Sequence, residues 1–407
     1  MKKNLINASR FRYFVHLNRH TGICHSVPRR CRSMPRSFSV AAPSQSTKAT
    51  KGHEDMKILV TGSAGHLGEA LMRILQNSCH EAIGLDIKPS PFTQLTGSIC
   101  DRDFVADCLR GVNAVVHTAT LHKPHVATHT RHDFIDTNIT GTLNLLEESV
   151  RNGVESFVFT STTSVYGRAL APSEDKPTAW ITEDVVPICK NIYGVTKLSA
   201  ENLCELFHYR SGLPCIILRT ARFFSEEDDD EYARRKYTPD NLKVNEFLYR
   251  RVDLEDAATA HLLAAEKAPE IGLARYVVSA TTPFSHDDLV HLRTSTDIVV
   301  RHLFPEYENI YARLGWSMLR SLDRVYVNER ARMGLGWQPK YDFRSILRSL
   351  ATSCDFRSAL SLNVGTKGYH TQRFSDGPYP VDTEVAPKIR TSRVSEIALS
   401  HGVERGS

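Results

Sequence analysis

The sequence predicts an α/β fold: a doubly wound parallel sheet with a smaller C-terminal lobe. Three observations predict it. Short apolar runs and amphipathic stretches alternate from residue 56 to about 222, as they do when each strand is followed by a covering helix. At the head of that stretch a buried strand (MKILV, 56–60), the turn Thr61-Gly62-Ser63-Ala64-Gly65-His66-Leu67-Gly68 and the amphipathic run EALMRILQNS follow one another. Further on, Tyr193 and Lys197 stand four apart in NIYGVTKLSAEN, so a helix there puts phenol and ammonium on one face.

Each element has a local reason. Gly62, Gly65 and Gly68 allow a tight turn and close backbone approach, and the helix that follows offers free N–H groups and a positive dipole end to a pyrophosphate. The next strand, HEAIGLD, closes on Asp86. A carboxylate there accepts hydrogen bonds from a ribose and repels a 2'-phosphate, which favours NAD over NADP, although Lys88 softens the preference. The alternation leaves the sheet at 223–250, and Asp253 with Asp256 can cap the helix LEDAATAHLLAAEKA that returns to it. The sheet is then completed by about 251–280. The expected organisation is a leader over 1–55, a dinucleotide-binding domain over 56–222, a substrate-binding lobe over 223–352 and a C-terminal arm and tail over 353–407, the arm packed on the body to about 382.

Composition suits a body with a sizeable core, since 41% of the 407 residues are apolar. No run approaches the roughly eighteen apolar residues of a membrane span, so no membrane insertion is expected. Nine cysteines without a CxxC spacing fit a reducing compartment. The net charge of +5 comes from the leader: residues 1–53 carry eleven Lys/Arg and no acid, leaving 40 basic against 46 acidic residues in the rest. A body of net charge −6 is not expected to bind nucleic acid. The leader, with Arg36-Ser37-Phe38-Ser39 near its end, looks like an organellar transit peptide, mitochondrial rather than plastid; a basic tail, or a start at Met34 or Met56 in a cytoplasmic protein, is the alternative.

The Tyr193/Lys197 pair implies redox chemistry, because a phenol with a pKa near ~10 becomes a usable base only where a cation favours its phenolate. With VVHTA (115–119), DTNITGTLNLLE (136–147), FVFTSTTSVYG (157–167), LRTAR (218–222), VDLEDAATAH (252–261) and LGWQPKYDF (335–343) in order, the chain resembles the extended short-chain dehydrogenases/reductases, also called the NAD-dependent epimerase/dehydratase family, over about 56–350. The resemblance implies a Rossmann domain that binds NAD, a small-molecule substrate and a possible homodimer. It implies that Tyr193 exchanges a proton with a substrate hydroxyl while hydride passes to or from the nicotinamide, and that Lys197 depresses the tyrosine pKa and holds the nicotinamide ribose. Thr162 aligns as the substrate-orienting hydroxyl and Asn138 as the active-site asparagine, with a helix cap as the latter's alternative. Gly62, Gly65, His66, Leu67, Gly68, Asp86, Ser98, Ile99, Thr118, Ala119 and Thr120 are expected around the cofactor, and Ser161, Thr163, His122 and Arg222 around the substrate. Strand alternation would put Ser161 and Thr163 on one face and Thr162 on the other.

Departures bear on the substrate. Ser98 stands where many relatives carry an aspartate at the adenine. Arg222 replaces the asparagine that sugar-nucleotide epimerases offer to substrate, and the 223–250 connection is short for wrapping a nucleotide. Arg222 therefore points to a smaller, acidic sugar or carbonyl compound, unless it pairs with the acidic run 226–231. That run reads as a solvated lid edge, with a cation or amine clamp as the alternative. His117, His122, His125, His129 and His132 read as a substrate-facing loop, and no metal site is expected. The expected function is an oxidoreductase or isomerase acting at a secondary alcohol or ketone carbon of a sugar-like substrate. A dehydrogenase/reductase of a small carbonyl compound with exchangeable cofactor, or a non-catalytic NAD sensor, is the alternative.

Overall fold

The structure, a computed structural model, describes residues 55–228 and 230–368. The leader and everything after 368 lie outside the described residues. Seven strands, β1 (Lys57–Thr61), β2 (Glu81–Asp86), β3 (Leu95–Thr96), β4 (Ala114–His117), β5 (Ser156–Thr162), β7 (Cys215–Thr220) and β8 (Leu273–Val278), form one parallel sheet in the order β3-β2-β1-β4-β5-β7-β8. Two further strands, β6 (Ala179–Ile181) and β9 (Arg324–Tyr326), pair with each other.

Both faces of the large sheet are covered, which is why its strands are almost continuously apolar. Ile58, Val60, Val116, Val158 and Ile216 pack on one face under α1 (His66–Leu75) and α8 (Leu254–Ile271). Leu59, Val115, Phe157, Phe159 and Ile217 pack on the other, under α2 (Arg102–Cys108), α4 (Gly141–Arg151) and α5 (Ile192–Ser211). The short α3 (Arg131–Ile135) runs through a π-turn over Asp136–Thr140 into α4. Side-chain caps fix the helix starts: Asp101 accepts from Phe104 N, Asn191 from Gly194 N, and Asp253 from Glu255 N.

Asp256 has a different task from the expected cap. It is buried and accepts the amides of Lys340 (2.8 Å) and Tyr341 (2.9 Å), tying LGWQPKYDF to α8, and burial pushes its carboxyl up to about 7. Trp337 adds a hydrogen bond to the Asp256 carbonyl.

The excursion after β7 holds α6 (Glu231–Lys236) and α7 (Pro239–Glu246). The second lobe has its own core, in which Val244, Phe247, Val300, Tyr311 and Phe343 come from α7, α10 (Thr296–Leu303), α11 (Tyr307–Leu314), α13 (Phe343–Ala351) and their flanks, with α9 (Leu289–Leu292) alongside. Trp180 of β6 packs on this core, so the stretch around β6 belongs to the lobe although it lies inside the expected 56–222 domain. Conversely, α12 (Glu329–Leu335) packs on α8 and β8 of the sheet body. α14 (Ala359–Val364) lies against α1 and α8, and the arm runs on to Gly368. No helix of the described residues is long and apolar enough to cross a membrane.

Candidate active site

In a doubly wound sheet ligands gather at the carboxyl ends of the strands, where the winding direction reverses. That point falls between β1 and β4, and a cavity of about 1020 Å³ opens there. Gly62, Gly65, His66, Leu67, Gly68, Asp86, Ser98, Ile99, Thr118, Ala119 and Thr120 all line it.

The glycine loop is a cradle that side chains would fill. Gly62 has φ +77°, and a Cβ on it would lie 2.7 Å from Ala119 N; a Cβ on Gly68 would lie 2.0 Å from the Gly62 carbonyl oxygen. Helix α1 starts at His66 with no side-chain cap, which leaves its first N–H groups to a ligand. Asp86 stands at the tip of β2 and accepts from Ala64 N (3.0 Å) and Lys88 N (2.9 Å), which places the carboxylate beside the loop. These residues fit a dinucleotide: a backbone cradle for pyrophosphate and a carboxylate at the position of a ribose. Ser98 accepts from Cys100 N, and the Ile99 carbonyl accepts from Asn144, so both stand in a fixed turn.

A buried hydrogen-bond chain fixes the β1 and β4 ends. Thr142 Oγ1 donates to the Asn138 carbonyl, so it accepts from His117 Nε2; His117 Nδ1 then accepts from Thr61 Oγ1, which accepts from Ala119 N. Burial and the Lys197 charge hold His117 well below the usual histidine range, consistent with this neutral tautomer. Asn138 extends the same stitching. Its Oδ1 accepts from Thr120 Oγ1 and Leu121 N (2.9 Å each), and its Nδ2 donates to the Leu121 carbonyl (2.9 Å) and Thr196 Oγ1 (3.0 Å). With all four positions engaged and the residue 1% exposed, Asn138 is neither a helix cap nor a substrate contact; it positions the cavity wall against α5.

Tyr193 and Lys197 occupy the first turns of α5. Tyr193 lines the cavity, and burial pushes its phenol up to about 12 against the opposing hydrogen bond from the Thr162 side chain. Thr162 Oγ1 accepts from Ser164 N (3.1 Å), which leaves its proton for the phenol oxygen. Lys197 is 2% exposed, its Nζ lies 4.0 Å from the centre of the Phe159 ring, and burial lowers it to about 7, opposed by Cys204 and Glu201. Its side chain is not among those that line the cavity; its Nζ lies against the Phe159 ring, behind the wall that Tyr193 forms.

Three substrate expectations change. β5 ends at Thr162 and a 3-10 turn begins at Thr163, so strict alternation stops there and Ser161, Thr162 and Thr163 all reach the cavity lining. The Ser161 hydroxyl, however, is committed to Glu201 (2.5 Å), a carboxylate that is 0% exposed and also held by Arg219 and Arg275. Arg222 lines the cavity but its guanidinium meets Asp228 (2.6 Å) and Glu246 (3.7 Å), so its charge is balanced within the protein. The acidic run is not merely a solvated edge. Asp228 is buried between Arg222 and Arg250. Burial alone would raise Glu226, yet the bond to His66 (2.9 Å) and the Lys367 amide outweigh it and lower the carboxyl to about 2.

His122 lines the cavity and stacks on Phe224 at 5.3 Å, with His125 and His129 continuing the row; Phe224 also meets His66 at 5.5 Å. Sequence reasoning missed Phe223, Phe224, Arg324, Tyr326 and Lys367 in the lining. Lys367 also pairs with Glu69 of α1, so the C-terminal arm reaches the glycine-loop helix. Only an aromatic pair after LRTAR could have signalled the first two; no local motif marks the others.

Comparison with known proteins fits this geometry. The model of the NAD dependent epimerase/dehydratase family matches residues 58–278. An uncharacterized UDP-glucose epimerase of Bacillus subtilis (strain 168) is 32% identical over 46% of this chain and 63% of its own length, so the match spans less than two thirds of that relative. A UDP-glucose 4-epimerase of Rhizobium meliloti (strain 1021) is 25% identical over 73% of this chain and 96% of its own. Among solved structures, a short-chain dehydrogenase/reductase superfamily protein from Agrobacterium tumefaciens with bound NAD superposes with a TM-score of 0.52 at 25% identity, over 73% of this chain and 96% of that one. The chain belongs to the NAD dependent epimerase/dehydratase family.

Proposed function

We propose that the chain transfers hydride at a secondary alcohol or ketone carbon of a sugar-like substrate, in the manner of an epimerase or dehydratase. The observation that carries the reading is the sharing of one cavity by the glycine cradle and the Tyr193/Thr162 pair. Bound NAD supplies the hydride acceptor or donor. Gly62, Gly65 and Gly68 with the α1 N-terminus hold its pyrophosphate, and Asp86 its adenosine ribose. Tyr193 holds its proton in the free protein, because burial keeps the phenol near 12. It therefore donates a proton to a nascent alkoxide directly; in the oxidative direction it must first release that proton to solvent, and the phenolate that remains, favoured by the Thr162 hydroxyl, accepts the proton of the substrate hydroxyl. Lys197 acts behind this pair as a buried cation near neutrality, adding positive potential when protonated. Similarity to UDP-glucose epimerases makes sugar nucleotides the first compounds to test.

The test is a screen of sugar nucleotides, free sugars and small ketones against the full chain, followed by the absorbance of nicotinamide and by chromatography of the sugars. Conversion of a sugar-like compound supports the reading. Turnover confined to small ketones, with net consumption of cofactor, would replace it with the carbonyl-reductase alternative. NAD binding without turnover of any class would leave a sensor.

A further inference from the structure

Beside the glycine loop the cavity is lined by two stretches of chain far apart in sequence, 223–226 after β7 and 365–368 after α14: Phe223, Phe224, Lys367 and Gly368 all reach it. One carboxylate joins both stretches to the loop. Glu226 Oε1 meets Nε2 of the loop residue His66 (2.9 Å) and accepts from the amides of Lys367 (2.9 Å) and Gly368 (3.3 Å). Ser225 Oγ donates to the Gly365 carbonyl (2.8 Å), and the Lys367 ammonium pairs with Glu69 on α1. The two stretches are held differently. Phe224 and Ser225 are anchored from the lobe side, where Arg251 donates to the Phe224 carbonyl (2.9 Å) and Lys243 to the Ser225 carbonyl (2.6 Å). The arm is anchored through α14: Asp253 accepts from Ser358 N (3.2 Å) and Ser361 Oγ (3.0 Å), and Val364 is buried in the core of the sheet body. Past Val364 the chain reads Gly-Thr-Lys-Gly, with no large apolar side chain to bury, and 366–368 are exposed. Gly365 (φ +61°) and Gly368 (φ +66°) take the left-handed backbone that lays this end on Ser225 and Glu226. A segment held by polar contacts alone opens far more readily than the core it is attached to.

We propose that 365–368 is a strap across the glycine-loop end of the cofactor cleft, fastened by Glu226, and that it opens for the dinucleotide to enter or leave. The proposal rests on the NAD-binding reading above and adds how exchange of the cofactor is controlled. The strap runs from the end of α14 to Glu226 and to Glu69 of α1, so a ligand passing that side of the cradle waits on the same contacts in both directions. Such a strap slows entry and release together, whereas a group that only grips the cofactor slows release. Glu226 is a positioning residue in this account: it acts through His66 and the arm.

The experiment is stopped-flow fluorescence of NADH with the full chain freed of nucleotide, association being read on mixing and dissociation by a chase with excess NAD. Glu226→Ala removes the fastening and raises both rate constants about tenfold or more, while Kd stays within about threefold. Glu226→Gln keeps an acceptor oxygen for the two amides and falls between wild type and alanine. Lys367→Met keeps the backbone bonds, loses the Glu69 pair and raises both rates by a smaller factor. Wild-type rates in Glu226→Ala would overturn the proposal. So would a rise in dissociation alone, which would make Glu226 a support of the cradle rather than the fastening of a strap. If Glu226→Ala fails to fold, the double variant Ser225→Ala/Lys367→Met decides, since neither residue contacts His66 in the hydrogen bonds given above: wild-type rates in it refute the strap, and a joint rise supports it. A wild-type chain that binds neither NADH nor NAD would overturn the proposed function instead.

Discussion

Asn138→Ala tests whether the cavity wall is held by one buried amide. The side chain makes four hydrogen bonds, to Thr120, to the amide and carbonyl of Leu121, and to Thr196. Two of these are replaceable: Thr120 also bonds the Leu121 carbonyl, and Thr196 donates to Ile192 and Tyr193 carbonyls. The Leu121 amide has no such substitute, and the joint between 120–121 and α5 is lost. At about 0.5–1.5 kcal/mol for each ordinary bond and more for an orphaned buried amide, the expected destabilisation is about 2–3 kcal/mol. Urea denaturation at neutral pH measures it, with NAD affinity read in parallel. Asn138→Asp sharpens the test: its carboxylate keeps the two accepted bonds but faces the Leu121 carbonyl, so its folded pKa is raised. Its stability is therefore lost as pH rises, and the variant is closer to wild type at pH ~4 than at pH ~7. A loss under about 0.5 kcal/mol for the alanine variant, or no pH dependence in the aspartate variant, would refute the stitching role.

Asp86→Ala should weaken NAD by about tenfold and improve NADP relative to it, since a ribose acceptor and a repulsive charge go together; an unchanged ratio in competition binding would show that the carboxylate does not face the ribose. Asp256 has a folded pKa of about 7, raised by burial above its unfolded value near ~3.9. The folded state then binds more protons than the unfolded between those values, so this group lowers stability as pH rises from about 4 to about 7, by up to ~1.4 kcal/mol per unit. Asp256→Asn should remove that descending limb from a plot of unfolding free energy against pH, and an unaltered slope would contradict the burial of a protonated carboxyl.

What could be read from the sequence was what short spacing encodes. The glycine turn, the Asp86 strand end and the Tyr193 helix each rest on residues a few positions apart, and each occupies the expected element. The inward turn of Asp228 and Glu226 was not legible, because a count of charges treats a run as uniformly solvated while the fold brings Arg222, Arg250 and His66 to particular members. The fate of Ser161 depended on Glu201, forty residues on, and on where β5 stops. Lys197 shows the limit of a motif: spacing fixes its helical face, but burial against Phe159 decides where the ammonium rests. Arg324 and Lys367 had no local signal at all, since both enter the cavity through contacts between distant parts of the chain.

The central claim is that Tyr193 moves the substrate proton in a cavity built for NAD. Tyr193→Phe keeps the ring and removes only the hydroxyl that Thr162 holds. Turnover of the best substrate from the screen should fall by about 10²- to 10⁴-fold while NAD affinity stays within about twofold. A Tyr193→Phe protein that retains more than about a tenth of wild-type turnover would contradict the account.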